Sequence, residues 1–510
     1  MTEHPASNAR ARSAPAYSAL EGRFARRSAI LDAAAVLEWD FAAIMPDGGA
    51  DARSRQLVAL QRVAHDMLTD PALADLLAAA EEEQGGLDDW QLANLARMRH
   101  IHARETAAPA DLVEAFTRAC KDCEMVWRKA RPASDYASLL PSLQRVLDLS
   151  RQIAAARAER FGCGLYDALL DDYDPGATSS RVDTVFDAYA AALPDLLDDA
   201  LVHQARRPAP VAPQGPFPVE KQRKLGQALM QAVGFDFHHG RLDVSLHPFC
   251  GGVPDDVRIT TRYDEADFTS SLMGMLHETG HAMYERGLPA AWRGQPVGHA
   301  HSMALHESQS LLVEMQACRS PAFLEFAAAK MRDAFGGDGE AWTADNLLRL
   351  YTQVRPDFIR VDADEITYPA HVILRYRLER ALLAGDLALA DLPGAWNEGL
   401  QALLGITPPD DRRGCMQDIH WTNGLFGYFP TYTLGAMAAA QLFDAAVKAE
   451  PGIPDAIARG DFGPLMAWLR TNVHGHGSRY PTDEVLTRST GRPLDPTVFM
   501  AHLRRRYLDG

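Results

Sequence analysis

Helical periodicity covers most of this 510-residue chain and leaves room for only a short stretch of strand. Between residues 111 and 131, apolar side chains stand at positions 112, 115, 116, 119 and 126, close to one face of a helix. Residues 136–161 repeat this spacing, and strong helix formers dominate the first two hundred residues. The spacing returns after the strand-like stretch. The sequence therefore predicts a mostly α-helical fold.

Strand signals are confined to a short stretch in the middle of the chain. Apolar and polar side chains alternate in residues 241–247 and again in residues 256–263. Gly251, Gly252 and Pro254 lie between these stretches and predict a turn. We therefore expect a small antiparallel sheet directly before the next helix.

A proline-rich stretch indicates how the chain is divided into regions. Residues 1–18 are expected to form a flexible tail, and residues 19–207 an N-terminal helical region. Residues 208–218 contain five prolines and predict a loop. The remainder, 219–510, would carry the small sheet and the functional helices, and we expect it to form one continuous domain with residues 19–207.

Composition excludes several classes of protein. The formal net charge is −17, and an acidic surface repels a phosphate backbone, so nucleic-acid binding is not expected. No run of about 18 apolar residues occurs, so no membrane span is expected. The six cysteines form no regular framework, and residues 1–17 lack an apolar signal segment. These features predict a cytoplasmic protein.

The stretch from 277 to 281 reads His-Glu-Thr-Gly-His and matches H-E-x-x-H. On a helix, His277 and His281 lie one turn apart on the same face and can bind one metal ion. Glu278 beside them can act as a general base on a water molecule. This combination indicates metal-assisted hydrolysis, most often of peptides.

A catalytic zinc site takes three protein ligands and keeps a fourth position for water. No further histidine stands at the spacing of the longer H-E-x-x-H-x-x-G-x-x-H pattern, so a carboxylate from a following helix is the other common solution. Glu307 is the best candidate, and Glu314, seven residues later on a similar helix face, is the second. His299, His301 and His306 could also bind a metal ion, and residue chemistry alone leaves the choice open.

Five motifs in order give the chain a resemblance to a known family. They are D-x-R-x-T at 256–260, H-E-x-x-H at 277–281, H-E-S-Q at 306–309, I-R-x-x-A-D at 359–364 and G-x-x-Q-D-x-H-W at 414–421. Further similarity runs through residues 427–432. On these motifs the chain resembles the carboxypeptidase Taq family of metallocarboxypeptidases, peptidase family M32.

The resemblance implies a site, a fold and an activity. His277, His281 and Glu307 would bind one zinc ion, with cobalt or another divalent ion as the alternative, and Glu278 would be the catalytic base. The fold would be a helical peptidase with a deep groove, and family members are typically homodimers. The activity would be broad-specificity release of C-terminal amino acids from peptides with a free C-terminus.

The remaining motif residues suggest supporting roles. His420, Tyr428 and Tyr432 are candidates to share the negative charge of a tetrahedral intermediate. Arginine binds carboxylates in a bidentate way, so Arg360, or less favourably Arg258, could bind the α-carboxylate of the substrate. The residues expected to hold these neighbours in place are Asp256, His306, Gln417 and Asp418.

Two other functions stay open at this point. A helical zinc endo-oligopeptidase could use the same metal site, but it would cleave an amidated peptide internally. A non-catalytic helical binding protein with a vestigial metal site would lack stoichiometric zinc. Its behaviour would also not change after Glu278→Gln.

Overall fold

The structure, a computed structural model, describes residues 14–509 and is about 70% helical. The mostly helical fold predicted from the sequence is confirmed. The helices are α1 (Pro15–Ala43), α2 (Ala50–Thr69), α3 (Pro71–Glu82), α4 (Asp89–Glu105), α5 (Ala110–Ala130), α6 (Tyr136–Phe161), α7 (Leu165–Leu170), α8 (Ser179–Ala205), α9 (Val219–Val233), α10 (Phe268–Gly287), α11 (Met303–Leu311), α12 (Pro321–Phe335), α13 (Ala344–Tyr351), α14 (Tyr368–Ala384), α15 (Leu392–Leu404), α16 (Pro430–Ala449), α17 (Ile453–Ile457), α18 (Gly463–Asn472), α19 (Thr482–Thr490) and α20 (Pro496–Tyr507). The strands are β1 (Gly240–Val244), β2 (Phe249–Val253) and β3 (Asp256–Thr261). Within residues 14–509, no helix combines the length and apolar character of a membrane span.

The first helix begins earlier than the predicted tail ends. Pro15 stands in its first turn, where a missing N–H is harmless. The Glu83 carboxylate accepts hydrogen bonds from the backbone N–H groups of Ala16 and Tyr17, and the Tyr17 side chain is buried. Residues 15–18 are therefore helical, which corrects the predicted tail for these positions. Residues 1–13 lie outside the described residues.

The chain separates into two compact units built from alternating segments. Unit 1 comprises Met1–Glu105, Val211–Leu348 and Leu442–Pro493. Unit 2 comprises Thr106–Pro210, Arg349–Gln441 and Leu494–Gly510. Residues 206–218 contain no helix or strand, consistent with the proline-rich composition of 208–218. The boundaries drawn from the sequence, including one continuous domain formed by residues 19–207 and 219–510, stay a prediction.

The sheet of unit 1 is mixed, with strand order β1-β3-β2. Strands β1 and β3, the two predicted from the sequence, pair in parallel, and β2, which was not predicted, pairs with β3 in an antiparallel way. The chain reverses direction twice between β1 and β3, so these two strands run the same way. The expectation of a purely antiparallel sheet is therefore corrected.

The glycines predicted to form the turn lie inside β2 instead. The reversal between β2 and β3 falls at residues 254–255, a two-residue connection. Gly252 has a φ of +82°, and a Cβ there would lie 2.2 Å from the Asp256 carbonyl oxygen. A Cβ at Gly251 would lie 2.9 Å from the Phe249 ring. Close approach, rather than a turn, requires glycine in this strand.

Helix α10 starts at a side-chain cap and carries the H-E-x-x-H motif. The Asp267 carboxylate accepts a hydrogen bond from the Thr269 N–H at 2.8 Å, which satisfies a free donor of the first turn. Residues on two sides of the helix are buried, among them Leu272, Met275 and Leu276. Helix α10 is therefore a core element of unit 1, and its position is fixed by packing.

A π-helical segment, Leu312–Ala317, continues directly from α11. The wider turn of a π-helix changes which side chains share a face, and such segments are frequent at functional sites. This segment carries Glu314, so its direction could not be derived from regular α-helical spacing from Glu307.

Candidate active site

Helices α10 and α11 approach each other closely at Gly280. A Cβ at this position would lie 2.5 Å from the Gln309 carbonyl oxygen and 2.6 Å from Ser310 Cα. Both are backbone atoms, so they can give way only if a helix moves. Gly280 therefore sets the spacing between the helix that carries the two histidines of the motif and the helix that carries Glu307.

Three side chains of unit 1 converge on one point between these helices. One potential ligand atom of each of His277, His281 and Glu307 lies within 4.8 Å of the others. Glu307 Oε2 is 3.9 Å from His277 Nε2 and 3.4 Å from His281 Nε2. No second group of this kind is found within residues 14–509. Two imidazole nitrogens and one carboxylate oxygen fit a catalytic zinc site, which leaves a fourth position for water.

Glu314 orients His277 from the side away from Glu307. Its Oε2 accepts a hydrogen bond from His277 Nδ1 at 2.9 Å, so that once the ring is neutral Nε2 is the nitrogen with the free lone pair. Arg319 donates to the other oxygen of Glu314. Glu314, the second candidate for the third ligand, is therefore a hydrogen-bond partner of His277 rather than a member of the cluster.

A second chain of hydrogen bonds orients His281. His306 Nε2 lies 2.8 Å from Glu285 Oε1, and His306 Nδ1 lies 2.6 Å from His281 Nδ1. A carboxylate only accepts, so His306 donates from Nε2. The His306 and His281 Nδ1 atoms face each other, so one donates and the other accepts, and donation by His281 would leave its lone pair at Nε2. The supporting role of His306 stays a prediction.

Buried charges in the cluster set where protons reside when no metal ion is bound. Burial alone would lower the pKa of His277, but the carboxylates of Glu307 and Glu314 raise it to about 10. Burial lowers the pKa of His281 to about 4. Burial would raise the pKa of Glu307, but the neighbouring histidines lower it to about 2. Near neutral pH His277 therefore carries a second ring proton, at Nε2, which is the place where a cation would bind.

Glu278 is the carboxylate of the motif that does not belong to the ligand cluster. Its side chain is only 7% exposed, and burial raises its pKa to about 7, with the nearby His277 acting in the opposite direction. A carboxylate with a pKa near the working pH can both take up and return a proton. This suits the predicted role as a general base.

Arg258 is engaged by other groups of unit 1. Its guanidinium donates to both oxygens of Asp256, with the shortest contact at 2.6 Å, and lies 4.5 Å from the centre of the Trp39 ring. Asp256 thus contacts Arg258, and its supporting role stays a prediction. This arrangement ties β3 to α1.

Arg360 lies in a buried cationic cluster of unit 2. Its guanidinium donates to Asp418 Oδ1 at 2.8 Å and to the Tyr368 hydroxyl at 2.9 Å. Arg375, fully buried, pairs with the other oxygen of the same Asp418. Two guanidinium groups thus share one carboxylate. The Gln417 side-chain oxygen accepts a hydrogen bond from the backbone N–H of Arg360 at 2.9 Å. Gln417 and Asp418 thus both hold Arg360 in place.

His420, Tyr428 and Tyr432 form one group beside that cluster in unit 2. His420 Nε2 lies 3.1 Å from the Tyr432 hydroxyl, and the ring centres of Tyr428 and Tyr432 are 5.2 Å apart. The Arg360 guanidinium lies 4.8 Å from the centre of the Tyr432 ring. The structure therefore brings together the motif residues that were expected to contact the substrate.

Two histidine candidates do not join the metal cluster. His301 is buried, and its Nδ1 lies 3.3 Å from Ser478 Oγ. His299 is near Glu285 and Asp32, and burial lowers its pKa. Both residues precede α11, the helix that carries Glu307. Neither belongs to the group formed by His277, His281 and Glu307.

Three residues that contact the candidate site residues were not singled out from the sequence: Glu285, Arg319 and Arg375. Glu285 stands four residues after His281 on the same helix face, a spacing that could have indicated it. The other two make contacts with a segment remote in the chain or with the π-helical segment. No local pattern marks such contacts.

Comparison with known proteins gives a consistent result over the whole chain. A family model described as carboxypeptidase Taq (M32) metallopeptidase matches residues 19–507. The chain is 39% identical over 498 residues to thermostable carboxypeptidase 1 of Thermus thermophilus, covering 95% of this chain and 97% of that protein. It is 32% identical over 477 residues to carboxypeptidase 1 of Bacillus subtilis, covering 93% and 95%.

Comparison with solved structures also finds metallocarboxypeptidases. Metallocarboxypeptidase 1 of Trypanosoma cruzi superposes with a TM-score of 0.95 at 42% identity, covering 98% of this chain and all of that chain. An M32 carboxypeptidase of Deinococcus radiodurans gives a TM-score of 0.92 at 36% identity, covering 97% and 99%. These similarities extend through both units of the chain.

Proposed function

Because the chain belongs to the carboxypeptidase Taq (M32) metallopeptidase family, and is therefore a metallocarboxypeptidase that hydrolyses peptides with a divalent metal ion, we propose that its metal is zinc and its specificity broad. In this proposal it releases single amino acids from the C-terminus of peptides with a free α-carboxylate. Cobalt or another divalent ion could replace zinc in the same site.

The convergence of His277, His281 and Glu307 carries this proposal. The two Nε2 atoms and the Glu307 carboxylate would hold the ion, and Glu314 and His306 would keep the imidazoles in the tautomers that bind it. Bound there, zinc supplies Lewis acidity, which lowers the pKa of a coordinated water and polarises a carbonyl group.

Glu278 is the proposed general base. Its buried carboxylate would take a proton from the attacking water and return it to the amine that leaves, so that no net proton is lost from the site. In the metal-free site, burial raises the pKa of Glu278 to about 7.

The groups proposed for recognition and charge stabilisation are Arg360, His420, Tyr428 and Tyr432. Arg360 is the proposed partner of the substrate α-carboxylate, because its cluster with Arg375 and Asp418 has an excess of one positive charge. His420, helped by Tyr428 and Tyr432, is proposed to donate a hydrogen bond to the oxyanion of the tetrahedral intermediate.

Peptides with matched free and amidated C-termini test the proposed activity. Mass spectrometry should show a ladder of products that shorten by one residue from the free C-terminus and little reaction of the amidated peptide. Internal cleavage of the amidated peptide would indicate an endo-oligopeptidase instead. No cleavage by the zinc-loaded protein would favour a binding protein.

We also propose an assembly and a cellular location. The resemblance to the family favours a homodimer, which light scattering of the purified protein checks by giving about twice the mass of one chain. The cysteine usage favours the cytoplasm. Fractionation of the native cells checks this second proposal.

A further inference from the structure

Glu379 is a buried carboxylate that lies outside all five motifs. It stands on α14 in unit 2, and its side chain has no exposed surface. Its Oε1 accepts a hydrogen bond from Trp421 Nε1 at 2.7 Å. Its Oε2 accepts from the Gly427 N–H at 3.0 Å and from the Tyr166 hydroxyl at 2.8 Å. Three donors from three separate segments thus meet on one side chain.

Two of these donors are the ends of one loop. Trp421 directly follows His420, and Gly427 directly precedes Tyr428. Glu379 therefore holds the segment 421–427 at both ends, next to the residues proposed to stabilise the oxyanion. The third donor, Tyr166, belongs to α7 and is not part of the loop.

The loop has little room to move at its second end. Gly427 has a φ of +88°, and a Cβ there would lie 2.9 Å from the backbone of Leu169 and Leu170 in α7. A carboxylate on one side and a helix backbone on the other thus fix the backbone that leads into Tyr428.

Keeping an ionised carboxylate at this place opposes folding. Burial raises the pKa of Glu379 to about 7, although its three hydrogen-bond donors act in the opposite direction. Above that pH the folded state must hold a buried charge that the unfolded chain would keep in water. If Glu379 only held helices together, apolar side chains could replace it without the free-energy cost of a buried charge. Its contacts with both ends of the loop therefore indicate its role.

We propose that Glu379 is a positioning residue for the carboxypeptidase reaction, which fixes His420 and Tyr428 by holding Trp421 and Gly427. The inference rests on the proposed roles of those two residues. Trp421 Nε1–H and the Gly427 N–H can only donate and reach different oxygens of Glu379, so a carboxamide of the same size would turn its NH₂ group against one of them.

Three variants, measured at about pH 9 so that Glu379 is ionised, separate positioning from stability. Glu379→Gln turns an amide NH₂ against N–H donors, and Trp421→Phe removes one donor of the loop. Tyr166→Phe is the matched control, because it removes the donor that the loop does not contribute. Zinc content, thermal unfolding, kcat and KM are measured for each on a peptide with a free C-terminus.

We expect kcat of Glu379→Gln to fall on the order of 100-fold, with KM within about threefold, because the affected groups act in the transition state. Trp421→Phe should fall in the same direction, and Tyr166→Phe should stay within about twofold of wild type. All should bind one zinc ion per chain. If Glu379→Gln does not fold, Trp421→Phe against Tyr166→Phe decides.

Two outcomes overturn the inference: wild-type kcat in Glu379→Gln or Trp421→Phe, or an equal loss of kcat in Tyr166→Phe. The second result would mean that the carboxylate serves stability alone. Failure of the proposed function looks different, because wild-type protein itself would then show no stepwise release from a free C-terminus.

Discussion

Each histidine of the metal cluster is oriented by the nitrogen that faces away from Glu307. Glu314 fixes His277 through Nδ1, and Glu285 fixes His281 through His306. Such partners set the tautomer and the direction of the lone pair, so they matter for metal affinity although they do not bind the ion. The spacing of the motif indicates which residues are ligands, but it contains no information about these partners.

Removing the proposed base should abolish catalysis without removing the metal. Glu278→Gln keeps the size of the side chain but cannot accept the proton of the attacking water. We expect kcat/KM to fall roughly 10²- to 10⁴-fold, with zinc content unchanged by elemental analysis. Glu325→Gln, on the exposed side of α12, is the matched control and should behave as wild type. Retained activity in Glu278→Gln would assign the base elsewhere.

Metal binding should release a proton because His277 holds one in the metal-free cluster. Its pKa of about 10 means that the proton is present below that pH and must leave when a cation takes its place, so affinity should rise with pH. Calorimetry in buffers of different ionisation enthalpy at about pH 8.5 should give about one proton released per ion. Zinc affinity independent of pH between about 7 and 9 would contradict this distribution of charge.

At the scale of elements, the sequence predicted the helices and strands whose apolar residues follow a regular spacing. Helical spacing and the alternation in β1 and β3 were sufficient to place those elements and the mostly helical fold. Strand β2 was taken for a turn because its two glycines resemble turn residues, although close backbone contacts require them. The π-helical segment was also not foreseen, since one widened turn leaves no mark on an apolar pattern.

The contact of α10 with α11 should be sensitive to a single methyl group. In Gly280→Ala the new Cβ meets the backbone of α11 at 2.5 Å, which forces apart the helices that carry the ligands. We expect the free energy of unfolding to fall by about 1–3 kcal/mol and zinc affinity to fall with it.

Gly274→Ala is the matched control for that substitution, because it lies in the same helix with nothing within 4 Å of the new Cβ. It should leave zinc affinity unchanged and stabilise the helix by roughly 0.5–1 kcal/mol in chemical denaturation. Equal zinc affinity in both variants would show that this contact does not set the ligand geometry.

At the scale of the whole molecule, the five motifs predicted more than any local pattern could. Their order along the chain indicated the family, and the family indicated Glu307 as the third ligand where residue chemistry left the choice open. The interleaving of the two units and the role proposed for Glu379 depend on contacts between remote segments, such as residues 379 and 421. These follow from the packed fold and have no signature in a single sequence.

Titration of the metal-free enzyme with zinc tests the central claim most directly. Bound zinc and the rate of C-terminal release should rise together and saturate at about one ion per chain, and Glu307→Gln should need a much higher zinc concentration to reach either. Full activity without metal, or identical titrations for wild type and Glu307→Gln, would contradict a metal centre formed by His277, His281 and Glu307.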